Sequence, residues 1–259
     1  MTDHSSSELE TGQRIISTIR SEMRYPHLAS WLATRIGGRR TRVYDWKAYL
    51  IEDYMFVDFP PGALVLDVGC GYGRQLQELQ SHGCRSFGVE IGWEILRKCR
   101  SLGLTVLQGS GEQLPVKCAS VDGVICKVAI PYTHEAWVLG EISRVLKAGS
   151  VGHVCYHGAG YYLRYLLCAP SWKFRFYGLR TLVNTWLYVS TGWRLPGFLG
   201  DTIYQSRRRL AKYYRRYELR LVQEPPARSL WGFPVFIYNT VQKDSLSRRE
   251  PRRTIVSTK

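Results

Sequence analysis

Hydrophobic positions between residues 61 and 157 follow two alternating patterns. Five short apolar runs are bounded by turn residues, which is typical of strands buried on both faces. The runs are 63–68, 87–90, 106–107, 121–127 and 152–157. Three stretches between them, 74–80, 93–101 and 135–146, carry apolar residues at helical spacing. Strands that alternate with helices predict a parallel sheet covered by helices on both sides.

The pattern changes after residue 157. Aromatic and basic residues dominate 161–193, where we expect a helical insert, and a basic helix is predicted over 201–216. Two last strands are predicted over 218–222 and 234–241, joined by a turn at Pro225-Pro226. The aromatic residues are Tyr161, Tyr162, Tyr165, Trp172, Phe174, Phe176, Tyr177, Trp186, Tyr188 and Trp193.

The first 60 residues are organised differently. Residues 1–10 are polar and predicted to be disordered, and helices are predicted over 11–23, 28–36 and 44–57. These helices would form a lead-in or cap over 11–60. The predicted main domain covers 61–242, with an acceptor lid over 161–216, and a charged tail covers 243–259.

A glycine-rich segment follows the first predicted strand. Residues 65–73 read VLDVGCGYG, so a buried strand delivers Asp67, then glycines, then the start of a helix. Glycine lets the backbone bend sharply and lets a ligand press against it. The amide groups at a helix start attract negative charge. The GxGxG spacing lacks the third glycine that a dinucleotide-binding dehydrogenase needs near Gln75 or Leu76.

Glu90 ends the second predicted strand. A carboxylate at that point of a nucleotide-binding α/β fold can accept hydrogen bonds from both hydroxyls of a ribose. The alternative is an acid that only caps the following helix.

These motifs resemble the cofactor loop of class I S-adenosylmethionine-dependent methyltransferases acting on small molecules and lipids, from about residue 61 to 153. The resemblance implies an α/β, Rossmann-like, doubly wound sheet of seven mostly parallel strands with the last strand antiparallel. It also implies S-adenosylmethionine as the cofactor. The implied cofactor-binding residues are Asp67, Gly69, Cys70, Gly71, Gly73, Glu90, Ile91, Ser110, Gly111, Glu112 and Lys127.

One position departs from the family pattern. The family often has Asp where Ser110 stands, and that acid accepts a hydrogen bond from the adenine amine. Ser110 is a weaker acceptor, and Glu112 is an alternative partner for the amine.

Three residues are candidates for catalysis. Tyr132 and His134 follow the fourth strand, and His157 ends the fifth. By the resemblance this region faces the reactive sulfonium, so these side chains could orient an acceptor or remove a proton. The competing interpretation is that both histidines are structural.

The charge and cysteine content of the chain limit its possible partners and its cellular location. Lys and Arg total 36 against 21 Asp and Glu, a net charge of +15 that favours nucleic acid, a phospholipid surface or an acidic substrate. The seven cysteines form no CxxC pair, so neither disulfides nor a metal site is expected. No signal peptide or membrane-spanning run is present in the sequence, which predicts a cytoplasmic protein.

The sequence therefore predicts a methyltransferase with a small-molecule or lipid acceptor, and peripheral contact with an anionic membrane stays open. An RNA or protein methyltransferase is the first alternative, favoured only by charge. Nucleic acid is less expected, because Ile130-Pro131-Tyr132 lacks the [DN]PP[YFW] pattern of amino-methylating enzymes. The second alternative is a protein that has the same fold and binds a ligand but catalyses no reaction. The acceptor, the methylated atom and the oligomeric state stay open.

Overall fold

The computed structural model describes Phe56 and residues 58–245. The predicted disordered N-terminus, the helices over 11–23 and 28–36 and nearly all of 44–57 lie outside the described residues. So does the tail after Asp244 and Ser245. The predicted domain boundaries therefore stay predictions.

The described chain is built around one sheet of seven strands, in the order β3-β2-β1-β4-β5-β9-β6. Strand β9 runs antiparallel to both neighbours and the other six are parallel, as predicted. Strands β7 and β8 form a separate hairpin that the sequence patterns did not indicate. The strands are β1 (Leu64–Val68), β2 (Arg85–Glu90), β3 (Val106–Gln108), β4 (Val121–Lys127), β5 (Leu146–His157), β6 (Leu219–Gln223), β7 (Ser229–Leu230), β8 (Phe233–Pro234) and β9 (Phe236–Lys243).

Six α-helices flank the sheet in the described residues. They are α1 (Arg74–Ser81), α2 (Trp93–Ser101), α3 (Glu135–Val145), α4 (Ala159–Cys168), α5 (Trp172–Thr191) and α6 (Arg207–Arg216). The helix predicted over 201–216 begins only at Arg207, so the first part of that prediction was wrong. Residues 202–205 are extended, because their backbone groups bond to other parts of the chain, as described below.

Two hydrophobic layers enclose the sheet. Successive side chains of a strand point to opposite faces. Leu66 and Val124 therefore pack with α3 and α6 on one side, while Val65 and Ile125 pack on the other side in a cluster that contains α4 residues. The central strands are covered on both sides, which explains their continuous apolar sequences.

Two neighbouring parallel strands, β4 and β5, each contain a glycine, and the two glycines differ in the space available for a side chain. A Cβ added at Gly123 in β4 would lie 2.2 Å from the buried ring of Phe59. A Cβ added at Gly152 in β5 would meet no atom closer than 3.5 Å, which is ordinary contact. Neither residue has a positive φ, so backbone conformation does not separate them.

We expect Gly123→Ala to lower the free energy of unfolding by about 1–3 kcal/mol, because the new methyl group displaces Phe59 from a packed core. Gly152→Ala is the matched control and should be neutral or slightly stabilising. Urea denaturation of both variants measures the difference. Equal effects would show that Phe59 does not constrain β4.

Candidate active site

The glycine segment after β1 forms a left-handed bend. Gly69, Gly71 and Gly73 have φ of +71°, +51° and +78°. A Cβ on Gly69 would lie 2.6 Å from the Cβ of Ala129, and one on Gly73 would lie 2.3 Å from Leu104 Cδ1. A Cβ on Gly71 would meet no protein atom within 4 Å. The outer two glycines therefore permit close packing, whereas Gly71 has open space beside it.

The carboxylate of Glu90 joins this bend to the end of β2. Its Oε2 accepts a hydrogen bond from the Gly71 amide at 3.1 Å. Its Oε1 accepts from the amides of Ile91 and Gly92 at 2.9 and 3.0 Å, next to the start of α2. Glu90 thus fixes the bend and the two residues that precede α2, but no side chain caps α2 at its N-cap residue Gly92. Each oxygen has two lone pairs, so Oε2 keeps capacity for a further donor.

A cleft of about 430 Å³ opens beside Glu90 at the carboxyl ends of the parallel strands. In open α/β sheets, ligands bind in such a crevice outside the carboxyl ends of the strands. Eight predicted site residues line it: Gly69, Glu90, Ile91, Ser110, Gly111, Glu112, Lys127 and Tyr132. Sequence reasoning missed the seven other lining residues, because most are apolar positions that look like core: Val68, Val89, Gly109, Val128, Ala129, Thr133 and Val138.

The remaining predicted residues do not line this cleft. Cys70 is buried and its sulfur packs against Gly88, where an added Cβ would lie only 2.4 Å from that sulfur. Gly73 packs on Leu104. Asp67 is buried, and His134 and His157 lie outside the cleft wall.

Asp67 is 2% exposed at the end of β1. Burial, and secondarily the negative charge of Glu90, raises the pKa of the Asp67 carboxyl to about 7, while Lys127 acts in the opposite direction. The side chain is therefore poised between its neutral and ionised forms near neutral pH. A cation brought close to it would favour the ionised form.

Ser110 and Glu112 are occupied by local hydrogen bonds. The Ser110 hydroxyl accepts from the Glu112 amide at 3.1 Å. Glu112 Oε1 accepts from the His134 amide at 2.6 Å, at the N-cap of α3. Glu112 therefore holds the start of α3 against the cleft, where a negative charge also suits the helix dipole.

An aromatic cluster lies beyond the cleft. Tyr132 lines the cleft and is 53% exposed, and its ring centroid is 6.3 Å from that of His157. His157 stacks on Tyr161 at 3.7 Å, and its Nδ1 lies 3.1 Å from the Tyr162 hydroxyl. Burial lowers the pKa of His157 to about 3, so this imidazole is neutral at physiological pH.

His134 is placed differently. Its ring stacks on Trp137 at 4.4 Å. Its Nδ1 is buried and has no hydrogen-bond partner among the described residues. The structure thus separates His134 from the cluster around His157.

An extended segment, residues 202–205, ties the insert to this region. The amide of Ile203 donates to the Pro131 carbonyl at 3.0 Å, and that of Gln205 donates to the His157 carbonyl at 2.9 Å. Arg194 Nη2 donates to the Thr133 carbonyl at 3.1 Å. The insert therefore fixes the turn that carries Tyr132. No sequence motif marks these backbone contacts.

Val128 is strained at the edge of the cleft. Its φ of +64° is rare for a β-branched residue, and its amide donates to the Cys155 carbonyl at 2.9 Å. The adjoining Ala129 is the residue that meets Gly69. The chain thus leaves β4 sharply and comes close to the glycine bend.

Comparisons with known proteins agree with this geometry. Residues 66–153 match the family model for the methyltransferase domain. The fold resembles an S-adenosylmethionine-dependent methyltransferase of Mesorhizobium loti (TM-score 0.53, 14% identity, covering 76% of this chain and 95% of that one). It also resembles one from Methanosarcina mazei (TM-score 0.52, 19% identity, covering 72% and 94%). No curated protein matches the sequence significantly.

The chain therefore contains a methyltransferase domain, and its fold is that of the class I S-adenosylmethionine-dependent enzymes. The methyltransferase cleft fits S-adenosylmethionine physically, because glycines and the Glu90 carboxylate line it and Glu90 also holds the amide of Gly71, which has open space beside it. Among the described residues, no group of His, Cys, Asp or Glu could hold a metal ion.

We expect Asp67→Asn to stabilise the methyltransferase without cofactor at pH 8 by at most about 4 kcal/mol. The folded chain holds this proton up to about pH 7, whereas the unfolded chain releases it near the ordinary value of 3.8. Stability contributed by Asp67 is therefore lost as pH rises from about 4 to 7, and Asn removes that loss. Near pH 4 the variant and the wild type should be alike.

Chemical denaturation at several pH values measures this effect. Asp122→Asn is the contrasting control, since Lys147 and the Leu64 amide lower the pKa of Asp122. That substitution should destabilise the protein at pH 8. An Asp67→Asn variant that gains nothing at pH 8 would contradict the raised pKa.

Proposed function

We propose that this methyltransferase transfers a methyl group to a small-molecule or lipid-like acceptor by direct in-line displacement. The observation that carries the proposal is the uncharged aromatic cluster that meets the cofactor cleft at Tyr132. An acceptor lying there would be next to the cofactor and surrounded by rings.

The cofactor would lie along the cleft. We propose that Glu90 accepts from its ribose hydroxyls and that the backbone at Gly69 and Gly71 meets its methionine end. Gly69, Glu90 and Ile91 line the cleft, and open space adjoins Gly71. Ser110 and Glu112 would lie near the adenine, although their bonds described above leave them fewer free lone pairs.

The acceptor wall is formed by α4 and α5. Tyr165 contacts both Tyr161 and Tyr177, and the hydroxyls of Tyr161 and Tyr165 are 3.4 Å apart. Rings with polar tips suit an acceptor with an apolar body and one or two polar groups. The guanidinium of Arg180 lies 4.9 Å from the Tyr177 ring but is paired with Asp201. This composition favours a small or lipid-like acceptor over a nucleic acid phosphate, which needs unpaired cations.

The chain's own residues mainly position the reactants. Bound S-adenosylmethionine supplies an activated methyl group, so alignment with the acceptor atom is the principal requirement. The low pKa of His157 makes it a poor proton acceptor at neutral pH. We therefore propose that His157 orients Tyr161 and Tyr162, and that Tyr132 contacts the acceptor. The structure gives His134 no contact with this cluster.

The cofactor part is tested by calorimetry with S-adenosylmethionine. Glu90→Ala should weaken binding about 10- to 100-fold, because hydrogen bonds to a charged group are lost. Glu94→Ala, an exposed acid on α2, should bind as wild type does. Equal affinity of wild type and Glu90→Ala would contradict the ribose contact.

The acceptor part is tested with methyl-labelled cofactor in a cell extract. We expect label in the small-molecule or lipid fraction. Tyr132→Ala should cut incorporation at least about tenfold, whereas cofactor affinity should fall much less, because the other residues that line the cleft would still hold the cofactor. Trp231→Ala, another exposed ring, is the control. Label found in RNA or protein instead would overturn the acceptor class but leave the cofactor site intact.

A further inference from the structure

Helix α5 carries its apolar side chains on the outside. Five large apolar residues recur at intervals of four, three, four and three, so they share one face of the helix. Trp172 and Trp186, near the two ends, are 71% and 69% exposed, and the three residues between them are 43–47% exposed. We call this surface the α5 stripe: Trp172, Phe176, Leu179, Val183 and Trp186.

The buried face of α5 is polar. Thr181, Asn184 and Thr185 are fully buried. Asn184 Nδ2 donates to the Thr202 carbonyl at 2.9 Å, and Thr185 Oγ1 accepts from the Tyr204 amide at 3.1 Å. This arrangement reverses the usual one, in which the apolar face of a surface helix packs on the core. The stripe therefore has no packing role in the described chain.

The charged residues of α5 are all basic, and Asp201, the first acid after α5, is paired with Arg180. No Asp or Glu lies between Glu141 and Asp201, although Arg and Lys do. Lys173 and Arg175 are exposed on α5 itself. The net charge of the protein is +15. An apolar stripe flanked by cations is complementary to a surface that combines acyl chains with anionic headgroups.

We propose that the α5 stripe is the surface on which the protein docks to an anionic phospholipid bilayer. Helix α5 has 20 residues, about 30 Å, and would lie in the plane of the interface. Its tryptophans near both ends suit the headgroup level. None of the described helices is both long and apolar enough to cross a membrane. This proposal does not depend on the proposed acceptor.

The test is co-sedimentation of the full chain with vesicles of phosphatidylcholine, with and without phosphatidylglycerol. Wild type should pellet with the anionic vesicles and much less with phosphatidylcholine alone. The double variant Trp172→Gln/Trp186→Gln should lower the partition coefficient at least about tenfold, because two apolar anchors are lost. Both side chains are exposed, so the variant should keep its melting temperature and its affinity for S-adenosylmethionine.

The matched control is Trp93→Gln, an exposed tryptophan on α2, a helix that contacts β2 and the edge strand β3. It should pellet as wild type does. Equal pelleting of the double variant would assign binding to another basic surface and overturn the proposal. Absence of pelleting, or equal pelleting with neutral vesicles, would also overturn the proposal. So would analytical ultracentrifugation in which wild type and Trp93→Gln are dimers and the double variant is a monomer, because the stripe would then be a dimer interface.

Discussion

The hydrogen bond between the Glu90 carboxylate and the Gly71 amide is the contact on which the cofactor cleft depends. It connects the bend after β1 to the end of β2, while the same carboxylate holds the amides that precede α2. Two elements from separate parts of the sequence thereby meet at one acid. The Gly69 amide also donates to the Val89 carbonyl of β2 at 2.8 Å, so the start of the bend is held by backbone and its middle, at Gly71, by the Glu90 carboxylate.

Other carboxylates near the site also accept hydrogen bonds from backbone amides. Glu112 accepts from the His134 amide at the start of α3, and Glu141 accepts from the Leu114 amide at 2.6 Å. A carboxylate bonded to backbone amides is stabilised as an anion and fixes the loop that donates to it. Asp67 differs, because burial raises its pKa. The surroundings of Asp67 therefore do not fully compensate the negative charge of its ionised form. A cationic ligand placed near this carboxylate would interact with it favourably.

The parallel strands and the glycine bend follow from the sequence, because buried parallel strands leave continuous apolar runs and sharp turns leave glycines. Helix predictions failed where tertiary hydrogen bonds decided the backbone. Residues 202–205 have helix-compatible side chains, yet the amides of Ile203 and Gln205 bond to Pro131 and His157. Val128 gave no signal either, since its left-handed conformation is imposed by its neighbours. The apolar residues that line the cleft could not be told from core residues. The spacing and hydrophobicity of residues along the sequence do not reveal which side chains border a cavity.

The reversed polarity of α5 has the same origin as the extended segment. An extended strand at 202–205 has amides and carbonyls on both edges, and buried backbone groups must be paired. One edge bonds to the active-site turns, so the other edge needs donors and acceptors from α5, which Asn184 and Thr185 supply. The fully buried positions of α5 near this segment are thus polar, and although Tyr177 and Leu182 pack inward, the five residues of the α5 stripe are left outside. At Gly178 the helix also comes so close to α4 that a Cβ would lie 2.6 Å from the Tyr162 carbonyl. The tyrosine cluster beside the cleft and the outward stripe are therefore held in one fixed relation by the same helix pair.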